Sequence, residues 1–116
     1  MLPQNVLKEG GYHVKGKTEA ERQSMLSDAQ ELADAGAFAI VLELVMPPVA
    51  AEITARIPIP TIGIGSGDSC AGQILVTYDL VGLFPWFTPR FVKPGAECAV
   101  AIKSAAAAWM KSLGQG

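Results

Sequence analysis

Five consecutive apolar residues, Phe38-Ala39-Ile40-Val41-Leu42, run without a polar break and stop at a carboxylate, Glu43. A strand with one face in water alternates apolar and polar side chains. An unbroken run of this length instead predicts a strand covered on both faces, the habit of a parallel sheet in an α/β fold. Parallel neighbours cannot be joined by a tight hairpin, so helices are expected on either side of the run.

The flanking segments carry those helices. Thr18 and Glu21 have capping-box spacing, and Met25, Leu26, Ala29, Leu32 and Ala33 recur at helical intervals, which predicts a helix from Thr18 to about Ala35. Gly36 is placed to stop it, since glycine adopts the left-handed conformation at low cost. Pro47 and Pro48 can open a second helix, because a proline in the first turn forfeits no helical bond, and Pro58 closes it after Ile57. Pro60 to Gly65 reads as a second strand and Ile74 to Thr77 as a third, with a link too short for a full crossover helix between them. Residues 81–95 hold Phe84, Trp86, Phe87 and Phe91 among three prolines and read as a stiffened loop with packed aromatic anchors; Ala96 to Leu113 reads as a closing helix ended by Gly114. Residues 1–17 have the composition of a long surface loop, so the chain is expected to begin inside a loop. With no repeat and no linker, residues 1–116 are read as a single domain.

This order of elements is that of an α/β fold with outer helices on a curved parallel sheet. A closed barrel of that kind needs eight strands and about 250 residues. Three to four strands amount to part of one, with an open edge and an uncovered inner face that something else must cover.

Several functions are disfavoured. Nine basic against eleven acidic side chains leave no basic surface for a nucleic acid. No apolar run approaches the roughly 20 residues that span a bilayer, and the first ten residues lack the order of a secretory or transit signal, so a cytoplasmic protein is the default expectation. Cys70 and Cys98 lack CxxC spacing and read as reduced structural thiols, and His13 makes no zinc pattern with them.

Glu43 is the chemical candidate. It is the first charge after a buried strand, at the carboxyl end where barrels and open α/β sheets gather reacting groups, and its apolar neighbours Leu42, Leu44 and Val45 suit a general base. The competing reading is a carboxylate that caps the following helix or pairs with a lysine. Gly63-Ile64-Gly65-Ser66-Gly67 ends the next strand at the same edge; its backbone N–H groups can face an anionic or carbonyl oxygen, or the segment is only a tight turn. Asp68 and Asp79 read as turn residues and His13 as an ordinary loop histidine.

Several short motifs agree with one family at once: Leu2-Pro3-Gln4, Gly10-Gly11-Tyr12, Gly16-Lys17-Thr18, Val41-Leu42-Glu43, Ile59 to Gly65, Gly72-Gln73-Ile74-Leu75-Val76 and Phe91-Val92-Lys93. In order and spacing the chain resembles the C-terminal half of the ketopantoate hydroxymethyltransferases, TIM-barrel enzymes of pantothenate biosynthesis. The resemblance implies transfer of a hydroxymethyl group from methylenetetrahydrofolate to 2-oxoisovalerate, with magnesium holding the keto acid. It implies Glu43 as the base that enolises the substrate, and Gly65 and Ser66 as substrate-binding positions on the pocket rim. The family's magnesium carboxylates and substrate lysine belong to the first half of the barrel, and the His-Gly pair expected just before the Leu2-Pro3-Gln4 motif is missing too, so a truncated chain that starts inside a motif is expected. Ala71 stands where the family usually has Asp, and Tyr78 where it often has His. The resemblance therefore implies either a half that needs a complementing half-barrel chain, or a non-catalytic remnant that binds a partner or forms a homo-oligomer through its exposed inner sheet.

Overall fold

A computed structural model describes residues 13–84 and 86–114. The Leu2-Pro3-Gln4 and Gly10-Gly11-Tyr12 motifs, and most of the early loop, lie outside the described residues. The chain divides into two compact units, one ending at Ile74 and the other beginning at Leu75.

The first unit is a parallel α/β layer. Helix α1 (Glu19–Asp34) leads to strand β1 (Ile40–Glu43), helix α2 (Pro47–Arg56), strand β2 (Thr61–Ile64) and a two-residue strand β3 (Gly72–Gln73). The sheet order is β1-β2-β3, all parallel, with Ile40 opposite Thr61, Glu43 opposite Ile64, and Gly63 opposite Gln73. The start of α1 is held as its sequence predicts. Thr18 Oγ1 accepts the Glu21 N–H at 3.1 Å, and the Glu21 carboxylate accepts the N–H groups of Gly16, Lys17 and Thr18. These contacts satisfy donors that a helix start leaves unpaired. Gly36, at φ +94, follows its end.

Directly opposed residues of a sheet share a face. Ile40 and Leu42 of β1 therefore lie with Thr61 and Gly63 of β2 on the face that α1 and α2 cover. There Leu42, Val45, Val49, Ala50, Ile53 and Ile57 are buried with Leu26 and Ala29. Val41 and Glu43 lie with Ile62 and Ile64 on the other face. The expectation that β1 is covered on both sides fails at Val41, which is 55% exposed, and at Phe38, which is 90% exposed. Within the described first unit, α1 and α2 cover one side of this sheet; on the other, Val41 is exposed, Ile62 and Glu43 are half-buried and Ile64 is buried.

The third strand also departs from expectation. Pairing falls at Gly72–Gln73 and ends where the Ile74 N–H donates to the Gly63 carbonyl at 3.0 Å; Thr77 already begins a helix. Leu75 and Val76 lead into that helix instead of pairing.

In the second unit, helix α3 (Thr77–Leu80) is followed by a loop and by helix α4 (Cys98–Leu113). The Cys98 and Ala99 N–H groups donate to the carbonyls of Val81 and Gly82, so the turn after α3 caps α4. The loop aromatics do not pack inward as anchors. Phe84 and Trp86 meet as a tilted pair, with ring centroids 4.4 Å apart and 53° between their planes, yet Trp86 and Phe87 are exposed. In α4, Val100, Ile102, Trp109 and Met110 are likewise exposed. No described helix is long and apolar enough to cross a membrane.

Candidate active site

Because the sheet is parallel and Glu43 pairs with Ile64, both strands end at one edge, and the Gly65–Gly67 turn leaves β2 beside Glu43. Glu43 is half-buried, on the face away from α1 and α2. This is the carboxyl edge of the sheet, where an α/β fold exposes loops and side chains to a ligand.

The backbone around Glu43 is unusual. Leu44 has φ +53, a left-handed conformation that a leucine adopts only at a cost. Its effect is a change of phase. Strict alternation would put Val45 on the same face as Glu43, but Val45 is 1% exposed in the core beside Leu42. Glu43 is thereby the last side chain of β1 on its face before the chain turns into α2.

Four hydrogen bonds to backbone groups of the first unit hold this turn. The Leu44 N–H donates to the Ile64 carbonyl at 3.0 Å, and the Leu44 carbonyl accepts the Lys15 N–H at 2.7 Å. The Ser66 hydroxyl donates to the Leu42 carbonyl at 2.6 Å and accepts the Val45 N–H at 3.0 Å. The Met46 N–H then reaches the Lys15 carbonyl at 2.8 Å, extending a parallel bridge between residues 15 and 45.

The structure brings together the three positions singled out from the sequence, Glu43, Gly65 and Ser66, in different roles. Gly65 is half-buried with φ +67. Ser66 is fully buried, and its hydroxyl is engaged with the backbone on both sides of Glu43. Gln73, which carried no role in the sequence reading beyond its motif, donates from Nε2 to the Gly67 carbonyl at 3.0 Å and ties β3 to the turn. Leu44 gave no local signal, since nothing about a leucine announces a positive φ. His13 and Asp68 are exposed, and Asp79 lies in the second unit. Cys70 and Cys98 are free thiols. The magnesium implied by the resemblance has no ligand set among the described residues, where no three His, Cys, Asp or Glu side chains gather.

A concavity of about 770 Å³ lies elsewhere, between α1 and β1, lined by Met25, Leu32, Ile40, Val41 and Ile53 and by the charged Lys15, Glu21, Asp28 and Glu31. Glu43, Gly65 and Ser66 do not line it. Its walls are mostly apolar and it holds none of the three positions at the strand ends, which are the better site.

Residues 1–116 match the family model described as ketopantoate hydroxymethyltransferase. Among similar proteins, the 3-methyl-2-oxobutanoate hydroxymethyltransferase of Carboxydothermus hydrogenoformans is 54% identical over 105 residues, which cover 90% of this chain and 38% of the relative. The proteins of the same name from Thermotoga maritima and Moorella thermoacetica are 51% and 46% identical over 116 residues, covering 100% of this chain and 43% of each relative. The chain spans about two fifths of the length of the curated relatives it matches.

Proposed function

This chain belongs to the ketopantoate hydroxymethyltransferase family, and from that premise we propose that it supplies the C-terminal part of a (β/α)8 barrel that hydroxymethylates 3-methyl-2-oxobutanoate, with Glu43 as the base. The observation that carries the reading is the place of Glu43: the last side chain of β1 on the face away from α1 and α2, at the carboxyl edge, in register with Ile64 and beside the Gly65–Gly67 turn.

In the proposed reaction the Glu43 carboxylate takes the proton from C3 of the keto acid, and the C–H electron pair moves into the enolate. C3 then bonds to the methylene carbon of methylenetetrahydrofolate; both C–N bonds of that carbon break, water supplies the hydroxyl oxygen, and tetrahydrofolate leaves with its two nitrogens protonated by the proton from C3 and one from water. Gly65 offers backbone at the rim against the keto acid, and Ser66 serves through the turn it holds. The lysine and the metal carboxylates are proposed to come from the remainder of the barrel, so no step here runs through a metal. The largely apolar concavity between α1 and β1 gives that remainder a place to pack.

The test is deuterium exchange at C3 of 3-methyl-2-oxobutanoate, followed by NMR in magnesium buffer. It uses the chain alone and the chain mixed with the N-terminal part of the Thermotoga maritima relative. Exchange that needs both parts and disappears in Glu43→Gln supports the reading. Exchange that survives Glu43→Gln removes Glu43 as base. Its absence from folded protein in every mixture leaves a non-catalytic binding or self-associating module as the better account.

A further inference from the structure

Leu44 is held in a conformation that its own side chain disfavours, so something outside it must supply the constraint. The bonds at Leu44 itself join it to Ile64 and Lys15, but the residues on either side of the Glu43–Leu44 pair are joined by one atom. Ser66 Oγ bonds the carbonyl of Leu42 before the pair and the N–H of Val45 after it. That oxygen is fully buried, and its single proton is donated to Leu42. A substrate could use this hydroxyl only by breaking the staple.

We infer that Ser66 is a positioning residue for Glu43: its hydroxyl closes the chain across Leu42 and Val45, keeps Leu44 left-handed, and so sets the direction from which the Glu43 carboxylate meets the substrate. The inference rests on the proposed role of Glu43 as base. The Gly65–Gly67 turn serves it by burying the hydroxyl at this point. Gly65 and Gly67 both have positive φ, and Gln73 anchors the Gly67 carbonyl. Without the staple, Leu42 and Val45 lose a shared partner and Leu44 is free to return to the extended region, which swings Glu43 relative to Ile64.

The experiment reads Glu43 directly, in the full chain. With 13C-carboxyl-labelled glutamate, the Glu43 signal is assigned by its loss in Glu43→Gln, then followed in Ser66→Ala and in Ser66→Cys, which keeps the shape with a much weaker donor. The staple predicts a shifted or broadened Glu43 signal in both variants. It also predicts amide exchange at Val45 faster by about tenfold or more, as a local opening would give. Adding Leu44→Asn to Ser66→Ala should move the Glu43 signal back toward its parent position, because asparagine accepts the left-handed conformation that leucine resists. A purely packing role for Ser66 would not be rescued in this way. In the complemented exchange assay, kcat should fall about tenfold to a hundredfold while KM for the keto acid changes less than about twofold. An unchanged Glu43 signal in folded Ser66→Ala or Ser66→Cys overturns the inference whatever the activity. A signal that moves and is rescued, in a chain whose exchange survives Glu43→Gln, upholds the staple and removes only the base.

Discussion

Arg22 of α1 grips Glu52 of α2 with two nitrogens, Nε to Oε2 at 2.6 Å and Nη2 on Oε1, so one guanidinium joins the two helices that cover the sheet. Arg56 reaches the same Oε1 from one turn further along α2, and Glu19 holds the remaining side of Arg22. The hydrogen bonds from Arg22 are the main reason that the Glu52 carboxyl titrates below its ordinary value. Attraction by the Arg22 and Arg56 charges adds to this, against partial desolvation, which acts the other way. Glu21 is lowered too, first by the Lys17 N–H and then by that of Thr18.

A carboxyl whose folded value is depressed adds stability above its unfolded value, and that contribution disappears as pH falls through the folded one. The thermal midpoint should therefore drop as pH is lowered below about 4.3, the ordinary glutamate value. Glu52→Gln should lower the midpoint at neutral pH and flatten the acid limb. Parallel acid limbs in calorimetric scans of the two proteins would show that the Arg22 bridge is not what titrates.

Thr18→Ala removes the hydroxyl that accepts the Glu21 N–H at the start of α1. A lost N-cap costs about 1 kcal/mol, and urea denaturation should show a loss of that size. An unchanged midpoint would mean that Glu21, bonded to three backbone N–H groups, holds the helix start without the threonine.

What was legible before the structure follows the range over which each cause acts. The capping box at Thr18 and Glu21 and the prolines that open α2 work within a turn of helix, and both helices lie where those residues put them. The length of β3 depends on which groups of β2 remain to be paired, so an apolar run at Ile74 to Val76 could not locate it. Glu43 at a strand end was legible because a charge closes an apolar run. The turn that aims it was not, because the partner of Val45 lies 21 residues away at Ser66 and leaves no trace around Leu44.

Gly67 tests the turn from the side of α2. At φ +79 an alanine is strained, and its Cβ would fall 2.8 Å from Pro47 Cβ, part of a ring that cannot swing aside. Gly67→Ala should cost about 2 kcal/mol or more, adding a clash to the conformational strain. Gly36→Ala is the control, at φ +94 with nothing within 4 Å of the new Cβ. It should lose only the conformational part, about 1 kcal/mol. Equal losses in urea melts would mean that Pro47 moves and the turn is not pinned against α2.

Thr61 at the start of β2 is fully buried, and its hydroxyl meets that of Thr54 on α2 at 2.7 Å. The donor follows from the neighbours. Thr54 gives its single hydroxyl proton to the Ala50 carbonyl at 2.7 Å, so Thr61 must donate to Thr54 while it accepts the Ala71 N–H at 3.4 Å. Thr54→Val therefore strands a buried hydroxyl proton and should cost about 1–3 kcal/mol, whereas Thr54→Val with Thr61→Val should cost less than the two single losses summed. A double-mutant cycle by urea denaturation measures that coupling. Additive losses would show that the two hydroxyls act separately, and the placement of β2 against α2, which carries Gly65 and Ser66 to the edge beside Glu43, would then rest on Ile53 and its apolar neighbours alone.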